Sequence, residues 1–166
     1  GQSLFISIMS TILCLLIAYP VAYIIAHSKI KNKAGLLLLF IVPMWVNFVL
    51  RINALKELFV WLGTYNKSNA WNIVNTIIGM VYDFLPYMVM PIYTCISKID
   101  KNMWEAAADL GCTPFTTLVK VIIPLSRSGI ISGITMVFVP SISTFYISQK
   151  LGNGQFELIG DTIERQ

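Results

Sequence analysis

Four long runs of apolar residues, at about 4–26, 34–50, 73–96 and 129–147, constrain this chain more than any other feature. A helix needs roughly 20 residues to cross the hydrocarbon core of a bilayer, and each run approaches or exceeds that length. In lipid every backbone N–H and C=O must find a partner within the protein, which leaves helices or a closed barrel. The runs lack the alternation of barrel strands, so helices remain. The predicted fold class is therefore an all-α membrane protein, a polytopic transmembrane helix bundle of about four spans. Composition agrees, with 56% hydrophobic and 12% charged residues, against about a quarter charged in a soluble domain. The first run is longer than a signal-peptide core and has neither a flanking basic stretch nor a cleavage site, so it reads as a mature span. Both ends read as cut, and a piece of a longer chain is expected.

The net charge of +4 does not form a nucleic-acid-binding face, because the basic residues sort by loop. Lys29, Lys31 and Lys33 lie between the first two runs, and Lys98, Lys101, Lys120 and Arg127 lie between the last two. The positive-inside rule assigns loops 27–33 and 98–128 to the cytoplasm of a multi-pass plasma-membrane protein. The loop at 51–71 and the tail, with Lys150 and Arg165, fall outside. Trp45, Trp61, Trp71, Tyr82 and Tyr146 are expected near the interfaces, where amphipathic rings prefer to sit. Pro20, Pro43, Pro86, Pro91 and Pro140 each remove a backbone donor and predict local bends.

Between the third and fourth runs, the segment NMWEAAADLGCTPFTTLVKVIIP at 102–124 predicts two short helices joined at a glycine. Asn102 is expected to cap the first, with Glu105 reaching back as its capping-box partner, and Gly111 to end it in the left-handed conformation. Thr113 is expected to cap the second, Pro114 to occupy its first turn and Pro124 to end it. Met103, Ala107 and Leu110 share one face of the first helix, and Glu105 and Asp109 another. Phe115, Leu118, Val119 and Ile122 form an apolar stripe on the second, with Thr116, Thr117 and Lys120 turned away. A structural loop covering the helix ends would suit these residues, whereas a DNA-reading helix-turn-helix would need more basic and amide side chains than Lys120 supplies.

Glu105-Ala106-Ala107, then Gly111, then the ending Val121-x-Ile123-Pro124 resemble the EAA loop of ABC importer permeases. Val121 and Ile123 depart mildly from the usual Ile and Leu. The resemblance implies a type I ABC importer permease fold in which this loop couples to a separate cytoplasmic ATPase through Glu105, Ala106, Ala107 and Gly111. It also implies a single permease domain over 1–166, with the first and last family spans largely missing and the coupling loop at 98–128. The stretches LLLLFIVPMWVNFVLR, LPYMVMPIYTCISKIDK, IIPLSRSGIISGI and VFVPSISTFYISQKLG are similar to the spermidine/putrescine branch of these permeases. That branch implies cytoplasmic ABC ATPase subunits, a second permease subunit, an extracytoplasmic polyamine-binding protein and surrounding lipid as partners.

Asp83 is the acid within a predicted span, and intramembrane charge is costly enough to point to function. Asp83 with Tyr82 and Tyr87, and with Phe84 nearby, offers a cation charge pairing and aromatic faces, a candidate polyamine pathway. The competing reading places Asp83 at a hydrated interface or against a basic residue of a partner subunit. Trp45, Asn47, Arg51 and Tyr146 could contact substrate or binding protein, or anchor the interface. Cys14, Cys95 and Cys112 are too scattered for a metal site or a disulfide framework. No nucleophile-base pair or phosphate-binding glycine loop is present and His27 stands alone, so no enzyme activity, cofactor or metal is expected. Rival functions are import of an anion or metal chelate through the same loop, and a membrane anchor that recruits a cytoplasmic protein without moving solute.

Overall fold

The computed structural model describes residues 2–65 and 67–143. Helix α1 covers Gln2–His27 and α4 covers Asn69–Ser97, each long and apolar enough to cross a membrane. Two further apolar stretches are broken. α2 (Lys33–Trp45) meets α3 (Phe48–Trp61) at 91°, and the segment ending at Leu125 meets α8 (Arg127–Ser143) at 70°. Counting each bent pair as one span gives the four expected. Tyr146 and the tail with Lys150 and Arg165 lie outside the described residues, as does the end of the fourth run.

The second run is thus not one continuous helix to residue 50. Pro43 disrupts its last turn, the chain extends at Val46, and the Asn47 side chain accepts from the Val49 amide at 2.9 Å to start α3. Most of the segment expected as an external loop from 51 is therefore helical. α3 ends at Gly63, whose φ of +69° permits the paired closing bonds Gly63 N–H to Val60 O and Thr64 N–H to Phe59 O.

α1, α4 and α8 pack against one another and hold the core. α1 buries the small or polar Ser7, Ser10, Thr11, Cys14, Ala18 and Ala22 together with Ile6, Tyr19 and Ile25, while Leu4, Phe5, Ile8, Ile12, Leu16 and Ile24 are exposed. Hydrocarbon solvates leucine as well as a core does, so helices gain by close approach through small residues and turn bulky ones outward. Ser10 Oγ donates to Met80 Sδ at 3.5 Å, and Cys14 Sγ approaches the Val81 carbonyl at 3.7 Å. α8 uses the same device, with Gly129, Gly133, Val137 and Ser141 buried at four-residue spacing. A Cβ on Gly129 would meet Cys95 Cβ and the Pro91 carbonyl oxygen at 2.8 Å, and one on Gly133 would meet Met88 Sδ at 2.6 Å.

Candidate functional site

The loop after α4 folds into the expected hairpin, with several changes of detail. α5 covers Lys101–Asp109, and its cap is Asp100, whose side chain accepts from the Asn102 amide at 3.0 Å. Asn102 is not the cap. It lies inside the helix and donates its own side chain to Asp100 at 3.4 Å. Aspartate at 100 wins because its carboxylate adds a favourable charge to the capping bond at the helix N-terminus. The box between Asn102 and Glu105 does not form, which frees the exposed Glu105 from the capping duty.

Gly111 closes α5 as expected. Its φ is +78°, and Cys112 N–H reaches Ala107 O at 3.0 Å while Gly111 N–H reaches Ala108 O at 2.9 Å. Thr113 Oγ1 accepts from the Thr116 amide at 3.2 Å and Pro114 opens α6 (Pro114–Thr117). The chain then widens into a π-helical turn, Leu118–Ile122, and α7 (Ile123–Leu125) carries Pro124 internally. Pro124 is therefore not the end of the run; the turn that precedes it bonds Ile123 N–H to Leu118 O, five residues back. The break comes at Ser126.

The hairpin's two sides differ. Ala107, Thr117 and Ile122 are buried, and Trp104 is half-buried. Thr117 was expected to face away, and the widened turn is where the simple helical stripe loses register. Phe115, expected in the packed stripe, is instead 74% exposed, and Leu110 is 84% exposed. Ala106 and Asp109 are exposed with them, Met103 and Glu105 are exposed at the edges of the hairpin where each also borders a cavity against the bundle, and Ala107 is committed to packing within the chain.

Both ends of the hairpin are fastened to α1. Trp104 stacks on His27 with ring centroids 4.8 Å apart and lies 5.8 Å from Tyr23, which stacks on His27 in turn at 5.7 Å. At the exit, the Ser126 hydroxyl and the Tyr19 hydroxyl share a buried hydrogen bond of 2.9 Å. His27, expected to stand alone, is thus stacked between two rings, and Trp104, Tyr19 and Ser126 carried no expectation. An indole in a hairpin and a histidine one helix-end away carry no spacing signal; their pairing is made by the fold.

Asp83 is buried, and its carboxylate is bound by Arg51 of the same chain. Arg51 Nη1 also donates to the Pro43 carbonyl at 3.2 Å, so one guanidinium ties the α2–α3 corner to the middle of α4. Arg51 Nε has no partner among the described residues. Asp83 thus has its ion-pair partner within this chain. Tyr82 and Tyr87 are exposed, with Arg51 6.0 Å from the Tyr82 ring centre and the Phe84 and Tyr87 rings 6.3 Å apart. A cavity of about 630 Å³ opens beside Arg51 and Tyr82, lined by Pro43, Leu50 and Leu58. Trp45 and Trp61 are each 82% exposed. Among the described residues no group of histidine, cysteine or acidic side chains could hold a metal ion.

Small-residue packing, broken spans and a hairpin fastened beneath them define a polytopic helical membrane component of the transporter type. The chain belongs to the family described as binding-protein-dependent transport system inner membrane components, which matches residues 4–166. It is 39% identical over 177 aligned residues to the "spermidine/putrescine transport system permease protein PotB" of Escherichia coli (strain K12), covering 99% of this chain and 64% of that protein. The Haemophilus influenzae protein of the same name is 37% identical, with 99% and 62% covered. A Mycoplasma genitalium "PotB homolog" is 34% identical over 163 residues, with 93% and 57% covered. The chain thus spans a little under two thirds of these relatives' length.

Proposed function

We propose that this chain is the membrane-crossing core of a polyamine importer's permease subunit, driven by a cytoplasmic ATPase through the hairpin at 98–128. The observation that carries this is the division of the hairpin. Its inner side is fastened to α1, while Met103, Glu105, Ala106, Leu110 and Phe115 remain exposed beneath the bundle. Apolar side chains exposed on a water-facing element need a protein to cover them. Glu105, Ala106 and Gly111 remain the proposed coupling positions. Ala107 contributes by letting α5 lie close to its own bundle, and Asp100, Thr113 and Pro114 shape the loop. Residues 1–166 then act as one permease domain, with loops 27–33 and 98–128 on the cytoplasmic side. ATPase subunits, a second permease subunit and an extracytoplasmic binding protein complete the complex.

Polyamine as substrate is supported by the relatives' names and by the aromatic faces at Tyr82 and Tyr87. Tyr82 borders the cavity beside Arg51 while Tyr87 borders a separate one, so an ammonium group would meet Tyr82 first and would reach Asp83 only by displacing Arg51. The test is reconstitution of the full complex in vesicles, with labelled spermidine, putrescine and an unrelated anion. ATP-dependent uptake of a polyamine, with ATP hydrolysis stimulated by it, is the expected result. Uptake of the anion alone would refute the substrate, and solute-independent hydrolysis with no uptake would leave only an anchor. Glu105→Gln removes charge without touching the Asp100 cap. Uptake should fall with the hairpin intact by protease protection, and unchanged coupling would refute a charged contact there.

A further inference from the structure

A second cavity, of about 430 Å³, lies between the end of α1, the start of α2, the end of α4 and the start of α5. Its walls carry Lys29, Lys33 and Lys101 against one acid, Glu105, with His27 and Trp104 forming an aromatic side. We propose that this cavity binds the phosphate headgroup of an anionic phospholipid of the inner leaflet. The inference rests on the orientation given above but not on coupling to an ATPase.

Depth argues for a lipid. α1 ends at His27 and α4 at Ser97, so the cavity lies where two spans leave the hydrocarbon. Ile24, on the membrane side of that level, is 63% exposed and so presents an apolar flank to acyl chains. Basic pockets between spans on the cytoplasmic side suit anionic headgroups, and an indole suits the glycerol level of the bilayer.

The lysines are placed for an anion. Lys33 Nζ donates to the Ala26 carbonyl at 2.6 Å, which fixes the ammonium at the cavity while two of its three N–H bonds can serve another acceptor. Lys101 occupies the first position of α5. The helix dipole disfavours a cation there, so helix stability does not account for it. A bound phosphate at that helix start would reverse the sign of the local balance and also compensate Lys29 and Lys33.

The test uses full-length permease purified without its ATPase, so that its outcome is independent of coupling. Retention of phosphatidylglycerol and phosphatidylcholine is measured by native mass spectrometry and by spin-labelled lipid in phosphatidylcholine vesicles. Phosphatidylglycerol should be retained selectively, and Lys29→Gln with Lys101→Gln should weaken it about 30-fold. Lys31→Gln with Lys98→Gln, an equal charge change outside this cavity, should leave it within about threefold, and arginine at 29 and 101 should restore it. Equal loss in both pairs would mean diffuse surface attraction and overturn the site. Binding of soluble glycerol phosphate without the lipid would overturn the lipid assignment. Unchanged lipid retention in the Lys29→Gln, Lys101→Gln variant would overturn the site.

Discussion

Neutralising Asp83 should destabilise the bundle through Arg51. The two side chains are 6% and 10% exposed, so neither charge has bulk water to fall back on. Removing one partner of a buried pair costs roughly 3–5 kcal/mol, because the other charge stays behind uncompensated. Asp83→Asn keeps a carbonyl for Arg51 Nη2, and Nη1 keeps Pro43, so about 2–3 kcal/mol is expected. Arg51→Gln should cost a similar amount. The double variant leaves two neutral side chains able to pair and should cost about 2 kcal/mol instead of the roughly 5 kcal/mol summed from the single changes, a coupling of about 3 kcal/mol. Denaturant titration of the purified permease in mixed micelles measures all four corners, and labelled-polyamine uptake at matched protein levels is read in parallel. Additive single effects, within about 0.5 kcal/mol, would refute the pair as a fastening between the α2–α3 corner and α4. Uptake separates the remaining question. If the double variant regains stability and transports, Asp83 serves only its partner; if it is stable and inactive, Asp83 also belongs to the polyamine pathway.

Trp104→Ala removes the stack on His27 and Tyr23, contacts worth about 0.5–1.5 kcal/mol each. Uptake per ATP hydrolysed should fall, and Trp104→Phe should restore part of it; an unchanged ratio would remove the stack from force transmission. Gly129→Ala should destabilise the α4–α8 contact by about 1–3 kcal/mol, more than Gly133→Ala, because its new methyl meets backbone whereas Gly133 faces the flexible end of Met88. The reverse order in denaturant titration would contradict that packing. Gly111→Ala should cost about 1–2 kcal/mol in hairpin stability from backbone conformation alone, since its Cβ would have open space. Gly111→Asn should cost less, measured by hydrogen exchange at Cys112, where equal protection in both variants would argue against the left-handed turn.

The legible parts of the fold are those written in local chemistry. Apolar length gave α1 and α4, and Gly111, Thr113 and Pro114 gave the turn and the second cap of the hairpin. Pro43 announced a local bend, but not that the run breaks into two helices at Val46, because the apolar run continues past the break and masks it. The caps competed at short range as well: Asp100 and Asn102 both have capping side chains, and the sequence does not state which backbone bends. Inside the membrane the usual sense of hydrophobic patterning weakens. The buried face of α1 mixes Ile6, Tyr19 and Ile25 with the small or polar Ser7, Ser10, Thr11, Cys14, Ala18 and Ala22, and bulky apolar residues also line its outer face, so apolar content marked the span but not its packing side. The Gly129–Gly133 spacing was the available signal for the α8 contact.

The candidate site divides along the same line between local and long-range information. Residues that shape the hairpin were readable because caps and turns act over a few positions. What the hairpin is fastened to was not, since Trp104 meets Tyr23 and His27, and Ser126 meets Tyr19, across separations that only the folded chain closes. Those contacts change what coupling requires. A loop hung only from its own flanking helices would pass force to α4 and α8 alone. Here α5 bears on the end of α1 through stacked rings, while the exit of the hairpin bears on α1 two turns earlier through a buried hydroxyl pair. Displacement of the outer surface at Glu105, Leu110 and Phe115 must therefore tilt α1 or break those contacts. Because α1 also packs along α4 through small residues at close approach, tilting the helix as a rigid rod costs less than separating it from the bundle. The three long elements then move together against the bent α2–α3 pair, which is held to them by Arg51 and Asp83 and by the core residues Ile52 and Phe59.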